Sequence, residues 1–216
     1  MASNSEDNYL DLLALAAQTK DPYFLIQGHS STGKTSILFH QAILTCQNKS
    51  EVLFISPTAP TKLPALPPDS TPKHEHLKFI QLKYPATQSD LIQLLAAVHE
   101  SNLKPSLVLL DCLEVYARGE GGDTDVIKLA KILALLRDAT NFWSIQTDNK
   151  NIPIFICSEI YYSVVSKWIP HKITIEREDG KSFKLIVSTP TKAECRYSLK
   201  DDQFIRLRGA SELNED

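Results

Sequence analysis

Glycine is scarce: seven in 216 residues is roughly 3%, about half of average usage. Such a chain is neither collagen-like nor a flexible low-complexity linker, and each glycine marks a place where the backbone has a reason to bend. They stand at 28, 33, 119, 121, 122, 180 and 209. Charge of one sign is also lacking. With a net charge of −3, 43% hydrophobic and 23% charged residues, the disordered class is excluded. No apolar run is long enough to cross a membrane, and the amino terminus, MASNSEDNYLDLLALAAQ, carries acids where a secretory signal carries basic residues. No membrane partner is expected. The four cysteines, Cys46, Cys112, Cys157 and Cys195, form no C-x-x-C pair. They read as reduced, packed thiols of an intracellular protein rather than zinc ligands. The six histidines form no ligand constellation, and His74 and His76 have no cysteine nearby.

What is present suffices for one globular domain over 1–216. It begins with a helix or tail at 1–20 and ends in an acidic tail at 209–216. YFLIQ at 23–27 is a compact apolar run and reads as a buried strand; 34–47 has apolar residues at helical spacing, and EVLFIS at 51–56 is again strand-like. Strand, loop, helix, strand is a βαβ unit. Residues 57–76 hold six of the twelve prolines, which forbid a helix and predict a long exposed loop. LKFIQLKY at 77–84 alternates as a strand does, and 89–100 is a helix with Ser89 as its N-cap. SLVLLD at 106–111 is an apolar strand ended by an acid, a helix spans roughly 123–142, and IPIFICSEI at 152–160 is another buried strand. From Trp168 the texture changes to alternating strands: KITIERE and SFKLIVS around Asp179-Gly180, then AECRYSL and QFIRLRG across Asp201-Asp202. The fold class that follows is α/β, a mostly parallel sheet flanked by helices, with antiparallel hairpins at its C-terminal edge.

GHSSTGKTS at 28–36 fits the phosphate-loop pattern G-x-x-x-x-G-K-[ST]. Gly28 opens it, His29, Ser30, Ser31 and Thr32 form its bend, and Gly33, Lys34, Thr35 and Ser36 close it into a helix. A tight loop points successive backbone N–H groups inward at the positive end of a helix dipole, which cradles phosphates. Lys34 reaches the β and γ phosphates of a nucleotide such as ATP, and the Thr35 hydroxyl ligates Mg2+. Asp111, at the end of an apolar strand, is the carboxylate that stands beside the magnesium, directly or through water. Two strand-like segments separate the phosphate loop from the Asp111 strand, which favours an ATPase core of the additional-strand type over a small nucleoside kinase. A kinase also needs an arginine-rich lid, and 57–76 contains no arginine.

This order of elements resembles the RecA-type recombinase core, a RecA-like P-loop ATPase. More closely, LKFIQLKYPATQSDLIQLLAAVHE followed by PSLVLLDCLEVY resembles the SWIM-domain-associated ATPase subunits of the animal Shu complex. The resemblance runs from about Tyr23 to Arg208 and is most specific at 77–116. It implies a nuclear protein of homologous recombination repair that forms a heterodimer with a SWIM-domain zinc-finger protein, binds single-stranded or branched DNA, and hydrolyses ATP modestly. A strand-exchange recombinase is a further implied partner.

Against that pattern the chain departs in several places. RecA-type ATPases carry a glutamate after the second core strand to orient the attacking water; here the stretch is SPTAP, with Thr58 at the expected position. Where recombinases place a polar pair that senses the γ phosphate, this chain has Ser158 and Glu159. Glu159 is either a substitute base or a strand cap. The loops expected to hold DNA, 117–123 and the short stretch containing Tyr161, Tyr162, Lys167 and Trp168, are poor in basic residues; the aromatics suit base stacking, a partner interface or the core. Residues 167–208 carry ten Lys and Arg against six acids, which fits phosphate contact and a lysine-protected sheet edge equally. Phe39-His40-Gln41-Ala42 has the F-x-x-A form by which recombinase protomers grip one another, yet its place behind the phosphate loop suits packing. The expected function is an ATP-binding adaptor with weak or partner-dependent hydrolysis. An active DNA-stimulated ATPase motor and a degenerate fold used only as a protein-interaction scaffold are the alternatives.

Overall fold

A computed structural model describes residues 12–67, 70, 72–118, 125–147, 151–188, 192–200 and 204–212. Gly119, Gly121 and Gly122, the Asp201-Asp202 turn, residues 1–11 and the end of the acidic tail lie outside the described residues.

Nine strands form a single sheet: β1 (Tyr23–Gly28), β2 (Val52–Ile55), β3 (Ile80–Lys83), β4 (Leu107–Leu110), β5 (Ile154–Ser158), β6 (His171–Arg177), β7 (Ser182–Val187), β8 (Ala193–Lys200) and β9 (Phe204–Glu212). Their spatial order is β3-β2-β4-β5-β1-β6-β7-β8-β9. All pairs from β3 to β6 are parallel, and those from β6 to β9 antiparallel. The α/β, RecA-like arrangement is the expected one. β5 lies between the phosphate-loop strand β1 and the Asp111 strand β4, which is the additional-strand order.

Helices cover the sheet as α1 (Leu12–Ala17), α2 (Lys34–Gln47), the single turn α3 (His74–Leu77), α4 (Gln88–Ala96), α5 (Leu113–Ala117) and α6 (Val126–Thr147). Two cores result. On one face α1 and α2 bury Leu12, Leu38, Ala42 and Ile43 against Phe24, Ile26, Phe54 and Phe155. On the other, α4, α5 and α6 bury Leu91, Tyr116, Leu136 and Trp143 against Leu25, Leu53, Leu110 and Ile156. Strands covered on both faces must be apolar throughout, and β2, β4 and β5 are buried at every position. β7 alternates, because only the side facing the first core is covered.

Several expectations need correction. The N-cap of α4 is Thr87 and not Ser89. Thr87 Oγ1 accepts from the Asp90 N–H at 3.1 Å, and Asp90 Oδ2 accepts from the Thr87 N–H at 3.0 Å, a reciprocal capping box. The proline-rich stretch is only partly exposed: Ser70 is buried with its hydroxyl 2.8 Å from His40 Nε2, and Leu66 packs on the first core. It also ends in α3, which forms just beyond the last proline, Pro72. Gly209 does not end the last strand but lies inside β9, which runs to Glu212. There Glu194 faces Ser211 while Arg196 faces Arg208, so Gly209 and Ala210 together oppose Cys195 in a bulge, where glycine is favoured. Among the described residues, no helix is long and apolar enough to cross a membrane.

Candidate functional site

The chain leaves β1 at Gly28, bends through Ser31 (φ 59°) and Gly33 (φ 85°), and enters α2 at Lys34. Gly33 is required here, since the left-handed backbone disfavours a side chain and a Cβ would stand 3.2 Å from Leu199 Cδ2. At Gly28 a Cβ would meet Ile175 Cβ and Thr32 Oγ1 at 3.0 Å. No side chain caps α2 and no acid sits in its first turn. Its leading N–H groups therefore keep the positive end of the helix open to an anion. His29, Ser30 and Ser31 are exposed, Thr35 is half-buried, and Thr32, Lys34 and Ser36 are buried.

Within the loop Thr32 Oγ1 donates to the His29 carbonyl at 2.9 Å. Lys34 Nζ donates to the carbonyls of Gly28 at 2.8 Å and His29 at 2.7 Å, and it lies 3.7 Å from Glu159 Oε1. From outside, the Tyr197 hydroxyl of β8 donates to the Thr32 carbonyl. Burial pushes the Tyr197 phenol well up, so it stays a donor across the working pH range.

Asp111 emerges from β4 beside this loop. Thr35 Oγ1 donates to Asp111 Oδ2 at 2.7 Å, and the Cys112 N–H donates to Oδ1 at 3.1 Å. Only 3% of Asp111 is exposed. Desolvation raises its pKa, partly offset by the Thr35 and Cys112 hydrogen bonds, while the Glu114 charge raises it further. Desolvation likewise pushes the neighbouring Cys112 thiol up to about 12, so it is no thiolate nucleophile.

Glu159 follows β5 and is held by its backbone, its N–H donating to Glu114 Oε2 at 3.1 Å. Ser158 is fully buried; its hydroxyl donates to the Ile160 carbonyl at 2.8 Å and accepts from the Ile160 N–H at 3.2 Å. It is engaged in turning the chain. Thr58 is exposed and hydroxylic, so no carboxylate follows β2 at that position. Sequence reasoning missed Glu114, a buried acid three residues after Asp111. The signal was an acid opening a helix directly behind the Asp111 strand.

Of the aromatics beyond β5, Tyr162 is buried and Trp168 packs on the second core. Tyr161 is half exposed, with Lys172 Nζ 4.9 Å from its ring centre. Phe39, His40, Gln41 and Ala42 are all buried, Phe39 edge-on to Phe54 at 6.0 Å, so this F-x-x-A run serves packing. On the C-terminal edge Glu194 bridges Lys184 and Arg196 at 2.7 Å each, and Glu178 pairs with Arg196 at 2.9 Å. Part of its basic charge is thus already neutralised.

The site can accept a phosphorylated anion on the α2 terminus and Lys34, with Thr35 and Asp111 presenting two oxygens to a divalent cation. No family model matches the chain. Among curated proteins it is similar to ATPase SWSAP1 of Mus musculus, 34% identical over 125 residues, a match covering 57% of this chain. The chain spans 44% of that relative's length, and the likeness is to a protein named as an ATPase.

Proposed function

We propose that this chain is an ATP-binding, RecA-like recombinase paralogue that works as an adaptor, with weak or partner-dependent ATP hydrolysis. The observation that carries the reading is the convergence of Lys34, Thr35 and Asp111 on an uncapped helix terminus, in a chain that has the exposed Thr58 after β2 where RecA-type ATPases carry a water-orienting glutamate. Its similarity to ATPase SWSAP1 supports the nucleotide part. Mg2+ would supply charge neutralisation to a bound nucleotide, and Thr35 and Asp111 are the residues suited to hold it. The resemblance at 77–116 supports the rest: a nuclear heterodimer with a SWIM-domain zinc-finger protein in the Shu complex, acting in homologous recombination repair alongside the strand-exchange recombinase and DNA.

Labelled ATP bound to the parent and to Lys34→Ala tests the nucleotide part; equal binding by the two overturns it. Co-purification with a SWIM-domain protein tests the partner part. Capture that survives replacement of both the C-terminal hairpins and the Tyr161–Trp168 aromatics removes the surface on which the reading depends.

A further inference from the structure

The phosphate loop is gripped from two sides. Inside, Lys34 Nζ fixes the carbonyls of Gly28 and His29. Outside, β8 supplies Leu199 against Gly33 and the Tyr197 hydroxyl to the Thr32 carbonyl, a contact spanning 165 positions of sequence. Tyr197 is held for this purpose, being 2% exposed and stacked on Phe183 at 5.3 Å between ring centres. In a planar trans peptide the carbonyl oxygen and the following N–H point in opposite directions. Drawing the Thr32 oxygen outward to β8 therefore turns the Gly33 N–H away from β8, toward the inner side of the loop.

Resting on the ATP-binding reading above, we propose that Tyr197 is a positioning residue for phosphate binding. Its hydroxyl sets the Thr32–Gly33 peptide so that the Gly33 N–H meets the anion without rearrangement. The antiparallel edge is then part of the nucleotide site, although it contributes no group that touches the nucleotide.

Tyr197→Phe in the full chain tests this, since the ring and its stacking remain while the hydroxyl goes. Calorimetric titration with Mg·ATP is expected to show roughly three- to tenfold weaker binding, the scale of one net hydrogen bond. In the nucleotide-free protein the Thr32 carbonyl-carbon and Gly33 amide NMR shifts are expected to move while those of the α2 interior stay put. Val187→Ala, in the same core at the far end of β7, is the control: it lowers the melting temperature and leaves ATP affinity alone. Unchanged ATP affinity in Tyr197→Phe, or an equal loss in Val187→Ala, overturns the proposal. If the parent binds no Mg·ATP, the functional reading fails, and the Thr32–Gly33 shifts alone decide whether Tyr197 sets the peptide, unmoved shifts overturning it.

Discussion

The Thr35 hydroxyl donates a 2.7 Å hydrogen bond to the Asp111 carboxylate across 76 positions of sequence, joining the first turn of α2 to the end of β4. Two oxygens are thereby prepositioned at one point beside the phosphate loop. A cation held by both would make ATP affinity depend on magnesium. In the parent, chelating Mg2+ is expected to weaken ATP binding roughly tenfold or more, about 1.4 kcal/mol. In Asp111→Asn that difference is expected to shrink to within about twofold, read by titrating ATP with and without a chelator.

Burial gives Asp111 a second signature. Its folded-state pKa lies above its ordinary value of 3.8, so the folded chain holds this proton more tightly than the unfolded chain does. The associated stability is complete at low pH and is lost as pH climbs from the ordinary value through the raised one. The nucleotide-free Asp111→Asn chain is therefore expected to melt above the parent at neutral pH, the gap closing on acidification. Thermal denaturation of both between pH 4.5 and 8 checks this, and a gap that widens on acidification contradicts it. Such strain is common where a site is built for a ligand.

Glu159 stands 3.7 Å from the lysine that phosphates need, with 40% of its own side chain exposed. The pair is solvated enough to be weak, about 0.2–1 kcal/mol, yet it competes with an incoming anion. Glu159→Gln is expected to bind ATP about two- to fivefold tighter. Weaker binding means that Glu159 helps to hold the nucleotide.

The capping box at the start of α4 separates two neighbouring hydroxyls. Thr87→Ala removes the cap and is expected to cost about 1 kcal/mol, lowering the melting temperature by about 2–4 °C. Ser89→Ala lies two positions past the cap, within the first turn, and is expected to change little. Reversal of that order in a thermal scan returns the cap to Ser89.

Much of this was legible in the residues. β2, β4 and β5 are uninterrupted apolar runs because helices cover both their faces, and the change to alternation from β6 marks the loss of one cover. Gly33-Lys34-Thr35 and the acid after Leu110 announced the loop and the carboxylate that the fold brings together. Thr87 was also legible, since its acid stands three residues on at Asp90, whereas Ser89 has Ile92 there. Other features depend on contacts distant in sequence. Nothing local to Tyr197 says that it reaches Thr32, and Glu114 looks like an ordinary first-turn acid until β5 brings the Glu159 N–H to it. Gly209 resembles a strand terminator until the slipped pairing with β8 is seen.

The placement of β1 also constrains how the chain is made. Its partners are β5, beginning at Ile154, and β6, ending at Arg177, so the strand that carries the phosphate loop has no neighbour until well over a hundred further residues have been synthesised. Pairings that distant form slowly, and an apolar strand awaiting both neighbours is exposed to aggregation in the meantime. During translation the β2–β3–β4 block can assemble first, and the candidate site comes into being only when the centre of the sheet closes around β1.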